Sequence, residues 1–123
     1  MTTFIIHAAW TLTAAFVLSF FYEVYRATVK AGVSQHDSVR SFILQVIALY
    51  LPAAIIITLM FGGREWAAWV GLVFSIVMIL VSIFYYNPKI MLERRPGILD
   101  WFEDLVFTGL LFVAAAQLIY AVS

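Results

Sequence analysis

Residues 66–88 read WAAWVGLVFSIVMILVSIFYYNP, a run without one acidic or basic side chain. Wound as an α-helix at about 1.5 Å per residue, it is long enough to cross a hydrocarbon core of roughly 30 Å. Three further runs are equally free of Asp, Glu, Lys and Arg: Met1–Tyr22, Ser41–Gly63 and Leu105–Ser123. The charged residues fall only between them. The fold class that follows is all-α: an integral membrane protein forming a four-helix transmembrane bundle. It is a single domain over residues 1–123, with spans at about 3–25, 41–61, 66–86 and 99–122.

Composition agrees. Hydrophobic residues make up 65% of the 123 and charged residues 11%, against about half and a quarter in soluble domains. Bilayer is the expected solvent for most side chains. The formal net charge is zero, so no basic field exists to attract nucleic acid, and that partner class is set aside. The absence of cysteine excludes disulfides, thiolate catalysis and cysteine-ligated metals. Met1–Ile6 carries no basic n-region, and the apolar run after it is too long for a signal-peptide core; a retained first helix is expected.

Punctuation between the runs sets the topology. Gly32 fits a helix end, with Arg26 and Lys30 in the preceding turn where cations are favoured. Ser34-Gln-His-Asp37 reads as a capping box opening the second helix. Pro52 predicts a kink there. Gly62-Gly63 is a tight turn. Asn87-Pro88 reads as the end of the third span, with Lys89–Arg95 lying along the membrane surface. Pro96-Gly97 breaks the chain again, and Asp100 with Glu103 forms a cap-like pair at the start of the fourth helix.

Basic residues gather on one side: Arg26, Lys30 and Arg40 in the first loop, Lys89, Arg94 and Arg95 in the third, against Arg64 alone in the second. The positive-inside rule then places both termini on the non-cytoplasmic side. Tyr22, Tyr25, Tyr85, Tyr86 and Trp101 mark the inner interface; Trp10, Trp66, Trp69 and Tyr120 lie toward the outer one. Ser19-Phe-Phe-Tyr22 with Arg26 is echoed by Ser82-Ile-Phe-Tyr85 with Lys89, which hints at two related halves.

Lipid is as apolar as leucine, so small and weakly polar residues must bring the helices together. The expected inward stripes are Thr11, Ala15, Ser19 and Glu23; Ser41, Gln45, Ala48 and Pro52; Ala67, Gly71, Ser75 and Ser82; and Asp104, Thr108 and Ala115. Glu23 continues the first stripe at the membrane edge. It is a candidate ion or proton site, or else an ion-pair partner of Arg26 or of a third-loop base. Glu103 and Asp104 are ion or proton candidates too, Asp104 facing inward toward Arg40, Arg94 or Arg95. Arg26, Arg40, Lys89, Arg94 and Arg95 form a basic rim suited to lipid headgroups or an acidic partner loop. His7, Gln117 and Tyr120 form a polar cluster at the opposite end, with His7 expected to hydrogen-bond Gln117 or a backbone carbonyl. Haem or chlorophyll ligation at His7 is conceivable, but no second span histidine exists for a bis-histidine site, and neither a cofactor nor a metal is expected. His36, in the first loop beside Asp37, is expected to be solvated.

No ionisable residue lies near the centre of any span, and no phosphate loop, nucleophile elbow or metal-binding motif occurs. The expected function is therefore a non-enzymatic subunit with a structural or accessory role in a larger membrane assembly. Its partners would be lipids and other membrane subunits or copies of itself, in a prokaryotic inner membrane. The alternatives are a homo-oligomeric channel or transporter with its conduit between protomers and, more weakly, a lipid- or quinone-modifying enzyme using the inner acid–base rim.

Overall fold

The computed structural model describes residues 2–123. Four long apolar helices account for most of them: α1 (Thr2–Thr28), α2 (Val39–Phe61), α3 (Glu65–Met91) and α4 (Ile98–Val122), each long and apolar enough to cross a membrane. They run alternately up and down. One end of the bundle, the loop end, carries residues 29–38 and 92–97. The other, the hairpin end, carries the short 62–64 turn and the C-terminus.

Packing follows the 3.6-residue period of each sequence. On α1 the buried positions run from Ile5, Ala8, Ala9 and Leu12 through Ala15, Phe16 and Ser19 to Tyr22, Glu23, Arg26 and Ala27, one continuous stripe. On α4 they run from Asp100 through Phe107 and Leu111 to Ala121 at the same period. Small residues on both stripes let the two backbones approach, and α1 against α4 is the most extensive contact in the molecule. α3 completes a three-helix core through Ala67, Ala68, Gly71, Leu72, Ser75, Met78, Ile79 and Ser82. α2 is peripheral and buries only Ala53 and Met60. Its expected stripe is thus corrected. Ala48 is exposed, and Ser41, Gln45 and Pro52 are half-buried, because α2 leans on the core over its second half. There Met60 fills the gap over Gly71, where a β-carbon would come within 2.6 Å of the Met60 sulfur.

Midway along the bundle each helix contributes one aromatic ring. Phe16 of α1 stacks on Phe74 of α3 with centroids 5.6 Å apart. It meets Phe107 of α4 edge-on at 5.3 Å and Tyr50 of α2 edge-on at 6.2 Å. Such offset and edge-to-face pairs are the favoured aromatic geometries. Together the rings close the bundle axis at this level.

Two prolines are absorbed by register changes. Residues Val46–Tyr50 form a π-turn in which the Leu51 N–H reaches back to the Val46 carbonyl. Pro52 therefore enters the first turn of the resumed α-helix, where its missing N–H is not needed. This is the physical form of the expected irregularity in α2. Pro88 corrects the expectation made for Asn87-Pro88. The chain does not turn there: residues Ser82–Met91 continue α3 in π register through the proline. Arg95, at φ 52°, makes the reversal instead, so 89–91 are helical and not a surface strip. The second helix also starts later than expected. Its N-cap is Ser38, whose hydroxyl accepts from the Ser41 N–H at 3.1 Å, and Ser34-Gln-His-Asp37 is a turn within the first loop. At α4, Gly97 takes the N-cap position and Asp100, at N3, accepts the Gly97 N–H through Oδ2 at 2.7 Å, so Asp100 caps with Gly97 and the expected pairing with Glu103 is corrected.

Candidate functional site

The chemistry-bearing residues converge at the loop end. Their positions follow from the α1 stripe, since Tyr22, Glu23 and Arg26 continue the buried face past the last apolar turn. The first loop is closed by the Gly32 N–H bonding the Asp37 carbonyl at 2.8 Å, with Gly32 at φ 86°. Glycine carries this left-handed conformation without a β-carbon clash. Closure turns the Asp37 carboxylate inward, where it is fully buried. In the third loop the Arg94 N–H bonds the Ile90 and Met91 carbonyls, and the reversal at Arg95 leaves the Arg94 side chain only 1% exposed.

Two guanidiniums then knit the loop end together. Arg94 grips Glu23 with both terminal nitrogens, at 2.7 and 2.6 Å, a bidentate pair. It also donates to the Tyr86 hydroxyl at 2.9 Å and the His36 carbonyl at 3.2 Å. Its Nε lies 3.3 Å from Asp37 Oδ1, within ion-pair reach but off the hydrogen-bond line. Arg26 forms a second bidentate pair with Asp37, at 2.9 and 2.6 Å. It further reaches Asp100 at 3.3 Å and the Arg94 carbonyl at 2.9 Å. The Tyr22 hydroxyl donates to Asp100 at 2.5 Å. Burial works against the charge on Arg94, yet the Glu23 hydrogen bonds and the nearby carboxylates outweigh it and hold its pKa above the usual arginine value.

The basic rim is thereby corrected. Arg26 and Arg94 are interior residues, 2% and 1% exposed, and cannot reach headgroups. Arg40, Lys89 and Arg95 stay exposed. Glu23 pairs with Arg94 of the third loop, one of the two partners expected for it, and not with Arg26. Asp104 meets no arginine among the described residues; it faces Asn87 of α3. His36 is not simply solvated, because its Nε2 lies 2.7 Å from Glu93 Oε2. Gln35 donates to the same oxygen at 2.9 Å. These hydrogen bonds, Gln35 first and then His36, hold the Glu93 carboxyl below its ordinary pKa.

Between the ion network and the aromatic layer lies a cavity of about 80 Å³. All four helices line it, with Glu23, Gln45, Tyr50, Tyr86, Glu103 and Asp104 among the polar contributors. Ser19 and Tyr50 bond each other at 2.7 Å, and Ser82 bonds Thr108 at 2.8 Å. Glu103 is 6% exposed and makes no hydrogen bond or ion pair among the described residues. The Gln45 side-chain oxygen is buried without a donor. In the two echoed segments the serines are both buried and the next two residues both exposed, and the likeness ends there. Tyr22 and Arg26 are buried, whereas Tyr85 and Lys89 are exposed.

At the hairpin end the expected polar cluster is rearranged. Gln117 pairs with Thr11, whose single hydroxyl proton is shared between Gln117 Oε1 and the His7 carbonyl, each 2.9 Å away. Tyr120 stacks on Phe4 at 5.9 Å. His7 is exposed, and only its backbone carbonyl takes part, as acceptor from Thr11. No group of three His, Cys, Asp or Glu side chains among the described residues is disposed to hold a metal.

Sequence reasoning missed Asp37 and the interior placement of the arginines. The signal was present in the spacing: Arg26 stands four residues after Tyr22, on the stripe that buries Ser19 and Ala15.

The fold and site define the class: an all-helical membrane protein whose loop end is tied by a buried ion network. Comparison with protein-family models, curated proteins and solved structures gave no match.

Proposed function

We propose that this chain is a small, non-enzymatic integral membrane subunit with a structural or accessory role in a larger assembly. Its partners in this reading are other membrane subunits or further copies of itself. The observation that carries the reading is the aromatic layer of Phe16, Tyr50, Phe74 and Phe107. A helix bundle shut at its middle by one ring from each helix offers no path for a solute through one protomer. The peripheral placement of α2, which buries only Ala53 and Met60, supports that helix as the side on which a neighbour docks.

The loop end is cytoplasmic in this reading, with both termini on the opposite side of a prokaryotic inner membrane. Arg40, Lys89 and Arg95 are left to meet anionic headgroups. Gentle solubilisation followed by blue-native electrophoresis and intact-mass measurement tests the proposal. A species larger than the 13.9 kDa chain is expected, and a lone monomer without co-purifying protein counts against it.

A second reading, a homo-oligomeric channel or transporter with its conduit between protomers, is favoured by the carboxylates of Glu103 and Asp104, which no guanidinium neutralises. Ion flux into liposomes that Asp104→Asn abolishes is the outcome that selects it.

A further inference from the structure

The loop-end cavity is walled firmly on every side but one. Toward the loops it is capped by the ion network, in which Glu23, Arg26, Asp37 and Arg94 are all buried. Toward the hairpin end the layer of Phe16, Tyr50, Phe74 and Phe107 closes the axis. Sideways, α1 lies against α4 and α4 against α3 in the two most extensive contacts of the molecule. The remaining wall is α2, through Gln45, Leu49 and Tyr50, and α2 is attached unevenly. Residues 51–61 pack on both α1 and α3. Residues 39–50 pack on α1 and make no contact of similar extent with α3 or α4 among the described residues. The two helices of the hairpin, locked by Met60 over Gly71, thus lose contact toward the loop end, and the cavity lies in the fork between them.

We propose that residues 39–50 of α2 form a strap that bows away from α3 and opens the loop-end cavity sideways to the bilayer. The strap buries none of its residues. It is fixed at both ends, by Asp37, which Arg26 holds, and by Ala53, which lies in the core. Beside each fixed point is a pivot. Ser38 is extended, at φ −153° and ψ 160°. At the other end Val46–Tyr50 is in π register, and Pro52 brings no N–H to the Ala48 carbonyl. Helices bend where the backbone ladder is broken in this way. The ring and hydroxyl contacts that hold the strap all run to α1. Ser19 bonds the Tyr50 hydroxyl at 2.7 Å, Phe16 meets Tyr50 at 6.2 Å, and Phe20 meets Phe42 and Tyr50 at 5.4 and 5.7 Å. Moving the strap into lipid loses no hydrophobic burial, because lipid tails are as apolar as the side chains withdrawn. The route through the loops is far more costly, since it breaks two buried bidentate ion pairs. The cavity therefore communicates with the bilayer and not with the aqueous face. The proposal is made for the single chain and is independent of whether it has protein partners.

The chain has no cysteine, so introduced pairs carry spin labels without background. Three double variants of the full chain, all labelled at exposed positions, are compared in phosphatidylcholine nanodiscs by double electron–electron resonance. Leu44→Cys with Phe84→Cys spans the fork. Ile55→Cys with Val73→Cys spans the same two helices nearer the hairpin. Val33→Cys with Leu92→Cys spans the two long loops. The fork pair is expected to give two distances and the other pairs one each. Tyr50→Phe keeps the ring and removes the hydroxyl bonded to Ser19. It is expected to raise the ratio of long to short fork distances about threefold, the effect of losing one interhelical hydrogen bond of average strength in a membrane. The other two pairs are expected to stay unchanged by it. A single fork distance, or a ratio that Tyr50→Phe does not alter, overturns the proposal. So does a second distance in the loop pair, which places the entrance at the loop end, or in the hairpin pair, which makes α2 move as a whole.

Discussion

Two adjacent arginines with the same charge have opposite fates, and this sets the expectations at the residue scale. Arg94 is sealed against Glu23, Tyr86 and Asp37, while Arg95 is exposed and held at φ 52°. Truncating one partner of a buried ion pair strands the other, at a cost of about 3–5 kcal/mol. Arg94→Gln is therefore expected to destabilise the protein by that amount in reversible unfolding from detergent micelles. Arg95→Gly relieves a left-handed backbone conformation while loosening the unfolded chain, and is expected to stay within about 1 kcal/mol of wild type. A loss at Arg95 as large as that at Arg94 contradicts the assigned burial. Glu93 gives the pH dependence. Its carboxyl is held below the ordinary value by Gln35 and His36, so the clamp between the two loops is present above the usual carboxylate range and is lost as pH falls through the depressed folded value. Hydrogen-exchange protection of the amides in residues 33–36, taken relative to the intrinsic rate at each pH, is expected to fall on acidification, and Glu93→Gln to show the lower protection at every pH. The destination of these charges was hidden from the sequence for a physical reason. A rule that counts basic residues near span ends gives sidedness, and it does not say which of them find an acid. Glu23 and Arg94 are 71 positions apart, and only the folded bundle brings them together.

At the scale of elements, apolar length and helical period carried most of the information. All four helices are where the charge-free runs placed them, and the buried faces of α1, α3 and α4 follow the small-residue stripes. The misreadings concern helix ends. Pro88 looked like a terminator because proline cannot continue an α-helix, but a π-register turn tolerates the missing donor. Ser34 read as the N-cap, but loop closure through Gly32 keeps 34–37 in the first loop and Ser38 caps the helix. α2 was the least legible element, since the stripe of Ser41, Gln45, Ala48 and Pro52 stands on a helix otherwise apolar all round, and its buried residues are Ala53 and Met60 instead. Its contact with α3 rests on Gly71, and Gly71→Ala drives a methyl into the Met60 sulfur. The expected cost is about 1–3 kcal/mol, as for other overpacked interiors. The double variant with Met60→Ala is expected to cost less than the sum of the singles, because the cavity left by Met60 admits the new methyl. Strict additivity in that cycle is the result that removes Gly71 from the α2–α3 contact.

For the whole molecule, if each of the four long helices crosses the bilayer as proposed, residues 2 and 123 fall on the same side of it. With the loop end cytoplasmic, a protease-cleavable tag on either terminus is expected to be cut in intact cells, and protection of both tags reverses the assignment. The candidate site is a property at this scale too. No single helix contains it; α1 supplies an acid and a base, each long loop supplies the complement, and α4 supplies the acids left over.

The distribution of these partners along the chain has a consequence for biogenesis. When the first hairpin leaves the ribosome, Arg26 has the nearby Asp37, but Glu23 is without its counter-ion until residue 94 is made, and Asp100 comes later still. Until Arg94 is made, Glu23 has only Arg26, three residues on, or solvent to offset its charge. A truncation ending before the third loop is expected to leave Glu23 without Arg94, whereas the full chain ties both loops and its last helix through Arg26 and Arg94.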